Sequence, residues 1–504
     1  MAGTTKRPVG IGKLNKQKKR KLEDSRSESP EKKIAKKEDT PEVANTEDST
    51  ESNELTVKLN EEVDPNDPLS QLHGLWHTWL KSEKENEMIL NGVIHECDRM
   101  LRKVHNLNSD TKDKISKSED NENEIKLNGE FYSIYALALA DLASFHTVNE
   151  EDLEDDDDDD EIDKKEEENK KESSDNDEIE KVKDFFDAAM ERLEEGFEKF
   201  KDDEESLIYL NFAKTKIILS RIPLEYISSL KVEDKIKELP NLPNLKDLLD
   251  ESIKSYEYSI KTIIKNISKY SKKINNENDY NLQMDILDSF DDLLDIVDNF
   301  GKHHEEGLDS DDEEEENEKI IEDNEVQLHK SHPLYAIKES DDYNLWWREQ
   351  SLQLFELVKN NSENDSDNED LKKLIRNISS KIGQSYLMEA EEPSSIYTML
   401  EYYNDEENES GNGEINGLTA NEASKIAIEL IKTAIKFLKE AYNDEDPQSW
   451  VNLAESEISL GNLYPLESEL QEKYYQRAEK RLNKANNATH GKYQNILDNL
   501  LKKD

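Results

Sequence analysis

The sequence contains a single cysteine, Cys97, among 504 residues. One thiol excludes an intrachain disulfide, and so little cysteine in so long a chain is typical of a reducing compartment. Hydrophobic residues are also scarce, at 33% of the sequence against roughly 45–50% in an ordinary globular chain. We therefore expect part of the chain to fold around narrow apolar stripes and part to have no core of its own.

Long apolar runs are missing as well. No stretch approaches the roughly 18 consecutive apolar residues that a membrane-spanning helix requires. The N-terminus also lacks the apolar segment of a secretory signal. These absences predict an intracellular protein without a membrane partner.

Positive charge is outnumbered overall, with 67 Lys and Arg residues against 120 Asp and Glu residues, but it predominates at the start of the chain. The formal net charge is −53, whereas the first 37 residues are strongly basic. Two basic clusters in one polar arm are typical of a nuclear-import signal, which predicts a nuclear protein that binds importin; the alternative is a generic flexible tail. Direct nucleic-acid binding is not expected, because the acidic remainder repels phosphate. The clusters consist of Lys16, Lys18, Lys19, Arg20 and Lys21, and of Lys32, Lys33, Lys36 and Lys37.

Composition divides the chain into six segments. Residues 1–65 are rich in Ser, Thr, Glu and Lys and too poor in apolar residues to offset the entropy of ordering, so they form a disordered basic and polar arm. Acidic runs, including Asp155 to Asp160, separate the blocks that follow and are expected to stay solvated as loops. The predicted segments are an N-terminal helical block (66–147), an acidic linker (148–178), a central helical block (179–302), an acidic loop (303–332) and a C-terminal helical block (333–502).

Apolar residues recur at helical rather than strand spacing. Order is expected to begin after Asp67-Pro68, where leucine and tryptophan follow at intervals of three and four. The apolar run 131–145 contains neither proline nor glycine and predicts a buried helix. No alternating β-branched run is bounded by Asn-Gly or Asp-Gly turns. The sequence predicts an all-α fold.

The last third carries a repeat signal. Its helices place a large residue, a leucine and a small residue at the spacings found in tetratricopeptide helix pairs. In such pairs the small residues let two antiparallel helices approach closely. Insertions near 392–420 and 464–474 interrupt the pattern. We therefore predict a degenerate tetratricopeptide-like helical-repeat solenoid, with a bundle of unrelated amphipathic helices as the alternative. The residues that carry the signal are Ala434, Leu438, Ala441, Pro447, Trp450, Leu453, Ala454, Gly461, Ala478, Leu482 and Ala485.

Candidate chemical motifs fail on geometry. His95, Glu96 and Cys97 are consecutive and point about 100° apart on a helix, so they cannot converge on a metal ion. Cys97 lies on an apolar stripe and is expected to pack as a small hydrophobic residue. His303, His304, His329 and His332 bracket an acidic run and are interpreted as exposed side chains, with weak binding of a divalent cation as the alternative. No P-loop, kinase motif or nucleophile elbow is present. We expect no enzymatic activity and no cofactor.

Two features favour regulation and partner binding. Ser310 and Ser366 each precede acidic residues in the pattern of acid-directed kinases of the casein kinase 2 type, although such short patterns also arise by chance. Trp346 and Trp347 are adjacent, so they cannot both face one core, and one ring is expected to be available to a partner.

Several stretches together resemble the fungal enhancer of translation termination family, which is similar to the fission-yeast nuclear inhibitor of a prolyl-hydroxylase-like dioxygenase. Their order and number carry the resemblance, since none is a catalytic fingerprint. The stretches are Lys6–Pro8, Gly74–Trp76, Val93–Leu101, Ile134–Ala138, Arg221–Ile227, Asp292–Gly301, Glu391–Pro393 and Lys484–Lys492.

The resemblance implies a nuclear, non-enzymatic, all-α protein that supports accurate translation termination. It also implies a 2-oxoglutarate- and iron-dependent prolyl-hydroxylase-like partner and a link to hypoxic gene expression, with iron and 2-oxoglutarate belonging to that partner. The alternative function is an acidic chaperone for basic nuclear or ribosomal proteins. In that case Asp155–Asp160 and Glu313–Glu316 would compete with nucleic acid for Lys/Arg-rich clients.

Overall fold

A computed structural model of the chain describes a set of ranges that are almost entirely helical. Both basic clusters, the Asp155–Asp160 run, Ser310 and Ser366 lie outside the described residues. The described residues are 67–82, 84, 86–110, 126–146, 164–228, 230, 244–270, 277–300, 328–362, 368–402 and 414–501.

The described chain divides into two compact units whose boundary falls between Trp347 and Arg348, inside a helix. The N-terminal unit also contains a 3₁₀ turn at Ala143–His146 and a π-helical turn at Ile222–Ile227. Its helices are α1 (Pro68–Lys81), α2 (Glu87–Asp110), α3 (Gly129–Leu142), α4 (Lys164–Lys199), α5 (Glu204–Arg221), α6 (Leu245–Lys265), α7 (Ile267–Tyr270), α8 (Glu277–Asn299), α9 (Tyr335–Lys338) and α10 (Asp342–Ser362), which carries the boundary.

Local sequence explains where these helices begin. Asp67 caps α1 by accepting a hydrogen bond from the Leu69 N–H at 3.1 Å, and Pro68 occupies the first helical position, where no N–H is needed. Asn128 caps α3 in the same way. The apolar run predicted to be a buried helix is α3, which packs against α2, α4 and α5. The predicted N-terminal and central blocks therefore share one unit.

The C-terminal unit is a succession of helices packed on their neighbours: α11 on α13, α12 on α13, α13 on α14, α14 on α15 and α15 on α16. This architecture confirms the predicted all-α helical-repeat fold. After the last part of α10, its elements are α11 (Glu369–Glu389), α12 (Glu391–Tyr402), β1 (Glu414–Ile415), β2 (Leu418–Thr419), α13 (Ala420–Glu440), α14 (Pro447–Asn462), α15 (Glu469–Ala488) and α16 (Gln494–Leu501).

One short hairpin departs from the helical prediction. Strands β1 and β2 pair antiparallel, with Glu414 opposite Thr419, across an Asn416-Gly417 turn in which both residues have positive φ. An Asn-Gly turn is the typical hairpin turn, but two residues on each side are too few for alternation to show in the sequence. Thr419 then starts α13 through a capping box with Glu422.

The small residues of the repeat signal perform the predicted role between α14 and α15. Ala454 on α14 and Ala478 on α15 are fully buried in one cluster with Trp450 and Leu482. Gly461 lies so close to Tyr475 that a Cβ atom there would stand 2.6 Å from the tyrosine ring. The two helices can approach because these positions carry almost no side chain.

Candidate functional site

The tryptophan pair predicted to contact a partner lies mainly against the N-terminal unit. Trp347 is 3% exposed, and its indole N–H donates to the Leu287 carbonyl at 2.8 Å. The Trp346 ring is partly buried and lies 4.8 Å from the Phe290 ring, centroid to centroid. Of the two rings only Trp346 reaches the surface, so a partner contact at this position stays a prediction.

The motif at His95 behaves as expected for a packed helix. Cys97 is completely buried on α2, and burial raises the pKa of its thiol well above the ordinary value. Glu96 accepts hydrogen bonds from Arg99, one turn further along the helix. The interpretation of the histidines around the acidic run as exposed side chains is confirmed for His329 but wrong for His332, which is buried. His303 and His304 lie outside the described residues. Within the described ranges, no three or more His, Cys, Asp or Glu side chains are placed to hold a metal ion.

A partly buried charge network links four elements of the N-terminal unit, and in it the side chains of Asp285 and Lys84 are 22% and 34% exposed. Asp285 on α8 pairs with Lys84, in the connection after α1, and with Lys216 on α5, whose Nζ lies 3.0 Å from Oδ2. Lys216 is only 8% exposed. On α3, Asp141 accepts a hydrogen bond from the Trp79 indole N–H at 2.7 Å. Sequence reasoning missed this network because its members are far apart in the chain and form no local pattern.

Opposite influences set the acidity of the two carboxyl groups. Burial alone would raise the pKa of Asp285, but the charges and hydrogen bonds of Lys216 and Lys84 outweigh it and hold this pKa at about 2. For Asp141 burial dominates and raises the pKa, although the same lysines lower it in part. Lys84 adopts a left-handed backbone with φ 58°, a conformation that costs about 1 kcal/mol in a non-glycine residue. The network therefore ties a strained connection to the core.

A second polar group lines a small cavity in the same unit. Glu130, Tyr209 and Asp279 are among the residues that line a space of about 30 Å³, together with apolar side chains of α1, α3 and α8. Burial raises the pKa of Glu130, partly offset by His73, whose Nε2 lies 3.4 Å from the carboxylate. Burial also raises the pKa of Tyr209, and Asp279 and Glu130 add to that effect. The cavity has room for water but not for an organic substrate.

In the C-terminal unit a lysine closes over a buried tryptophan. The Lys484 Nζ lies 3.7 Å from the centre of the Trp450 ring and donates to the Tyr442 hydroxyl at 2.9 Å and to Asp444 at 3.1 Å. The Trp450 indole N–H donates to the Asn443 carbonyl at 2.7 Å. The cation–π contact fastens α15 to α14. The two hydrogen bonds of Lys484 fasten α15 to the connection between α13 and α14.

Helix α14 is enclosed on more than one side. Glu455, Ser456 and Glu457 are consecutive, and each is at most 2% exposed. Consecutive helical side chains point about 100° apart, so burial of all three requires neighbours around the helix. Arg481 on α15 lies 3.4 Å from Glu457, whose pKa is raised by burial.

Together the packed helix pairs and the internal ion pairs define a helical-repeat scaffold, in which these charges fasten helices to one another. A family model described as "Nuclear pore complex subunit Nro1" matches residues 1–501. The chain belongs to the Nro1 family.

Named relatives cover the whole chain. A Debaryomyces hansenii protein named "Enhancer of translation termination 1" is 43% identical over 508 residues, covering 98% of this chain and 99% of the relative. A Scheffersomyces stipitis protein of the same name is 43% identical over 513 residues with the same coverage. These matches confirm the family resemblance inferred from the sequence motifs.

A solved structure is also similar: that of the Schizosaccharomyces pombe nuclear import adaptor Nro1. It shares 14% sequence identity, covers 86% of this chain and 98% of its own, and superposes with a TM-score of 0.44. The family description, a nuclear pore complex subunit, confirms the predicted nuclear localisation and names no reaction. Among the helices in the described ranges, none is long and apolar enough to cross a membrane.

Proposed function

We propose that this chain is a nuclear adaptor that holds a protein partner on its helical units and thereby supports accurate translation termination. The observation that carries the proposal is the full-length match, at 43% identity, to proteins named for translation termination. The internal charges support a scaffold role, because the ion pairs of Asp285 with Lys84 and Lys216 join helices to one another.

The partner proposed here is a 2-oxoglutarate- and iron-dependent dioxygenase of the prolyl-hydroxylase type. The family resemblance supports this class, and it connects the complex to hypoxic gene expression. Iron and 2-oxoglutarate would be bound by the partner. The basic arm would bring the chain to the nucleus through importin, as its two Lys/Arg clusters indicate.

A pull-down with the tagged full chain, combined with a stop-codon readthrough reporter in a deletion strain, tests the proposal. We expect the dioxygenase among the recovered proteins, and increased readthrough that the wild-type gene restores. If the extract yields no dioxygenase and the deletion strain shows wild-type readthrough, the adaptor function is contradicted.

A second candidate function is an acidic chaperone for basic nuclear or ribosomal proteins, favoured by the net charge of −53 and the acidic runs. Replacing Asp155–Asp160 and Glu313–Glu316 with glycine and serine of equal length separates the two functions. An adaptor keeps its partner after this change, whereas a chaperone loses its clients. Both runs lie outside the described residues, and circular dichroism of the variant checks that its helical content is kept.

A further inference from the structure

The connection between α14 and α15 exposes two leucines in the C-terminal unit. Leu466 is 51% exposed and Leu470 is 45% exposed, on either side of the helix cap Ser468. This connection coincides with one of the insertions that interrupt the repeat pattern. We call residues 463–470 the leucine turn. Removing two large apolar side chains from water would contribute favourable free energy to the binding of a partner at this segment.

The leucine turn is held in one conformation. Glu467 has a left-handed backbone with φ 59°, and its N–H donates to the Gln471 side-chain oxygen at 2.8 Å. Gln471 is only 6% exposed and reaches the Tyr475 hydroxyl, which donates to Asn462 at the end of α14. Ser468 caps α15 by accepting from the Gln471 N–H at 3.2 Å. A partner would meet preformed leucine positions and would lose little entropy in ordering them.

Aromatic rings also stabilise the leucine turn. Tyr464, within the leucine turn, stacks on Tyr474 of α15 with ring centroids 5.8 Å apart and planes 6° apart. The guanidinium of Arg477 lies 5.8 Å from the centre of the Tyr474 ring. These contacts brace the turn against the first turns of α15, so the exposed leucines stand on a rigid base.

Negative charge predominates next to the two leucines, because residues 463–473 contain three glutamates and one basic residue, Lys473. Glu467, Glu469 and Glu472 are all exposed. Glu472 accepts from the Gln476 side chain at 2.8 Å. Within the described ranges, none of the three carboxylates has a lysine or arginine at salt-bridge distance. An apolar centre with an acidic rim is complementary to a segment with apolar anchors and basic flanks.

We propose that the leucine turn docks a basic amphipathic segment of the protein partner. Its apolar anchors cover Leu466 and Leu470, and its Lys or Arg side chains face Glu467, Glu469 and Glu472. The inference rests on the proposed adaptor function and deepens it by naming the contact surface and the chemistry of the segment it takes.

The test measures binding of the purified dioxygenase partner to the full chain by isothermal titration. The variant Leu466→Ser/Leu470→Ser is expected to weaken binding by about tenfold or more, because it removes the apolar centre of the contact. The matched control is Met399→Ser/Ile426→Ser, which alters two side chains of the same unit that are 51% and 41% exposed. The control is expected to bind like the wild type, and circular dichroism checks that both variants fold.

Two further variants address charge and rigidity. Glu469→Gln/Glu472→Gln is expected to reduce the salt dependence of the affinity, because two charges of the acidic rim are gone. Gln471→Ala keeps both leucines but releases the Glu467 N–H, and it is expected to weaken binding less than the double leucine change.

The outcomes separate the two proposals. If the dioxygenase binds the wild type, the leucine variant and the control with equal affinity, the leucine turn is not the docking surface and the adaptor function survives. If the wild type does not bind the dioxygenase at all, both proposals fail. Equal losses in the leucine variant and the control would overturn the assignment of the contact to this turn.

Discussion

Replacing Trp450 with a small residue is expected to destabilise the C-terminal unit. Trp450 is 5% exposed, packs against α15 and donates its indole N–H to Asn443. Trp450→Ala is expected to lower the free energy of unfolding by about 3–5 kcal/mol, through the cavity and the lost hydrogen bond. Urea unfolding of the full chain measures the change, with Trp450→Phe as the milder control. A loss below about 1 kcal/mol would contradict a buried ring.

Asp285 should contribute stability that depends on pH. Its folded-state pKa of about 2 lies below the ordinary value, so its contribution is complete above about pH 4 and disappears as the pH falls towards 2. Asp285→Asn also leaves Lys84 and Lys216 without their shared carboxylate. We expect a loss of about 3 kcal/mol at neutral pH and a shallower decline of stability in acid.

Thermal unfolding of the full chain between about pH 2 and pH 7 measures both effects of Asp285→Asn. Glu191→Gln is the matched control in the same unit, because Glu191 is 71% exposed. Its effect should stay within about 0.5 kcal/mol at every pH. An Asp285 variant that follows the wild type down the acid limb would show that the lysines do not hold this carboxylate ionised.

Replacing glycine with alanine is expected to change the free energy of unfolding in opposite directions at two helical positions. At Gly461 on α14 an added Cβ would stand 2.6 Å from the Tyr475 ring, whereas at Gly92 on α2 it would meet nothing within 4 Å. Gly461→Ala is therefore expected to cost about 1–3 kcal/mol through overpacking. Gly92→Ala should gain up to about 1 kcal/mol from helix propensity. Urea unfolding of the two variants provides the comparison, and a stabilising Gly461→Ala would refute the close approach of α14 and α15.

Helices with strong local signals could be predicted from the sequence. The cap Asp67 with Pro68 marks the start of α1, and the uninterrupted apolar run marks α3. The small residues Ala454 and Ala478 identify the pairing of α14 with α15, because close packing demands small side chains at those positions. In each case the information lies within one or two turns of helix, where residue spacing reports directly on structure.

Features that depend on distant partners could not be predicted. Lys84 and Asp285 are separated by 201 positions and meet only because α1, α5 and α8 pack together. The sequence does not show which of the two adjacent tryptophans is available. The Leu287 carbonyl that accepts a hydrogen bond from Trp347 lies 60 positions away in the chain. Helix α4 begins at Lys164, inside the predicted acidic linker, because a charged helix shows little apolar periodicity. The exposure of Leu466 and Leu470 could not be predicted either, because it depends on how α14 and α15 pack and not on the local sequence.

Import of the molecule is expected to depend on its basic arm. Alanine at four of the five positions of the first cluster should shift a fluorescently tagged protein towards the cytoplasm, because importin would lose most of one of its two basic binding segments. Microscopy of living cells measures the nuclear fraction, and unchanged nuclear fluorescence would refute the import signal. The substituted residues are Lys18, Lys19, Arg20 and Lys21. A matched control removes the same charge from exposed helical positions: Lys425, Lys432, Lys439 and Lys480.

The solitary thiol makes the chain convenient for spectroscopy. Because Cys97 is fully buried and its thiolate form is disfavoured, maleimide dyes should leave it untouched while the N-terminal unit stays closed. A cysteine introduced at a surface position can then carry a single fluorophore or spin label without any prior removal of native cysteine. The slow reaction rate of Cys97 itself would report how often α2 opens. It would therefore measure local unfolding in the N-terminal unit.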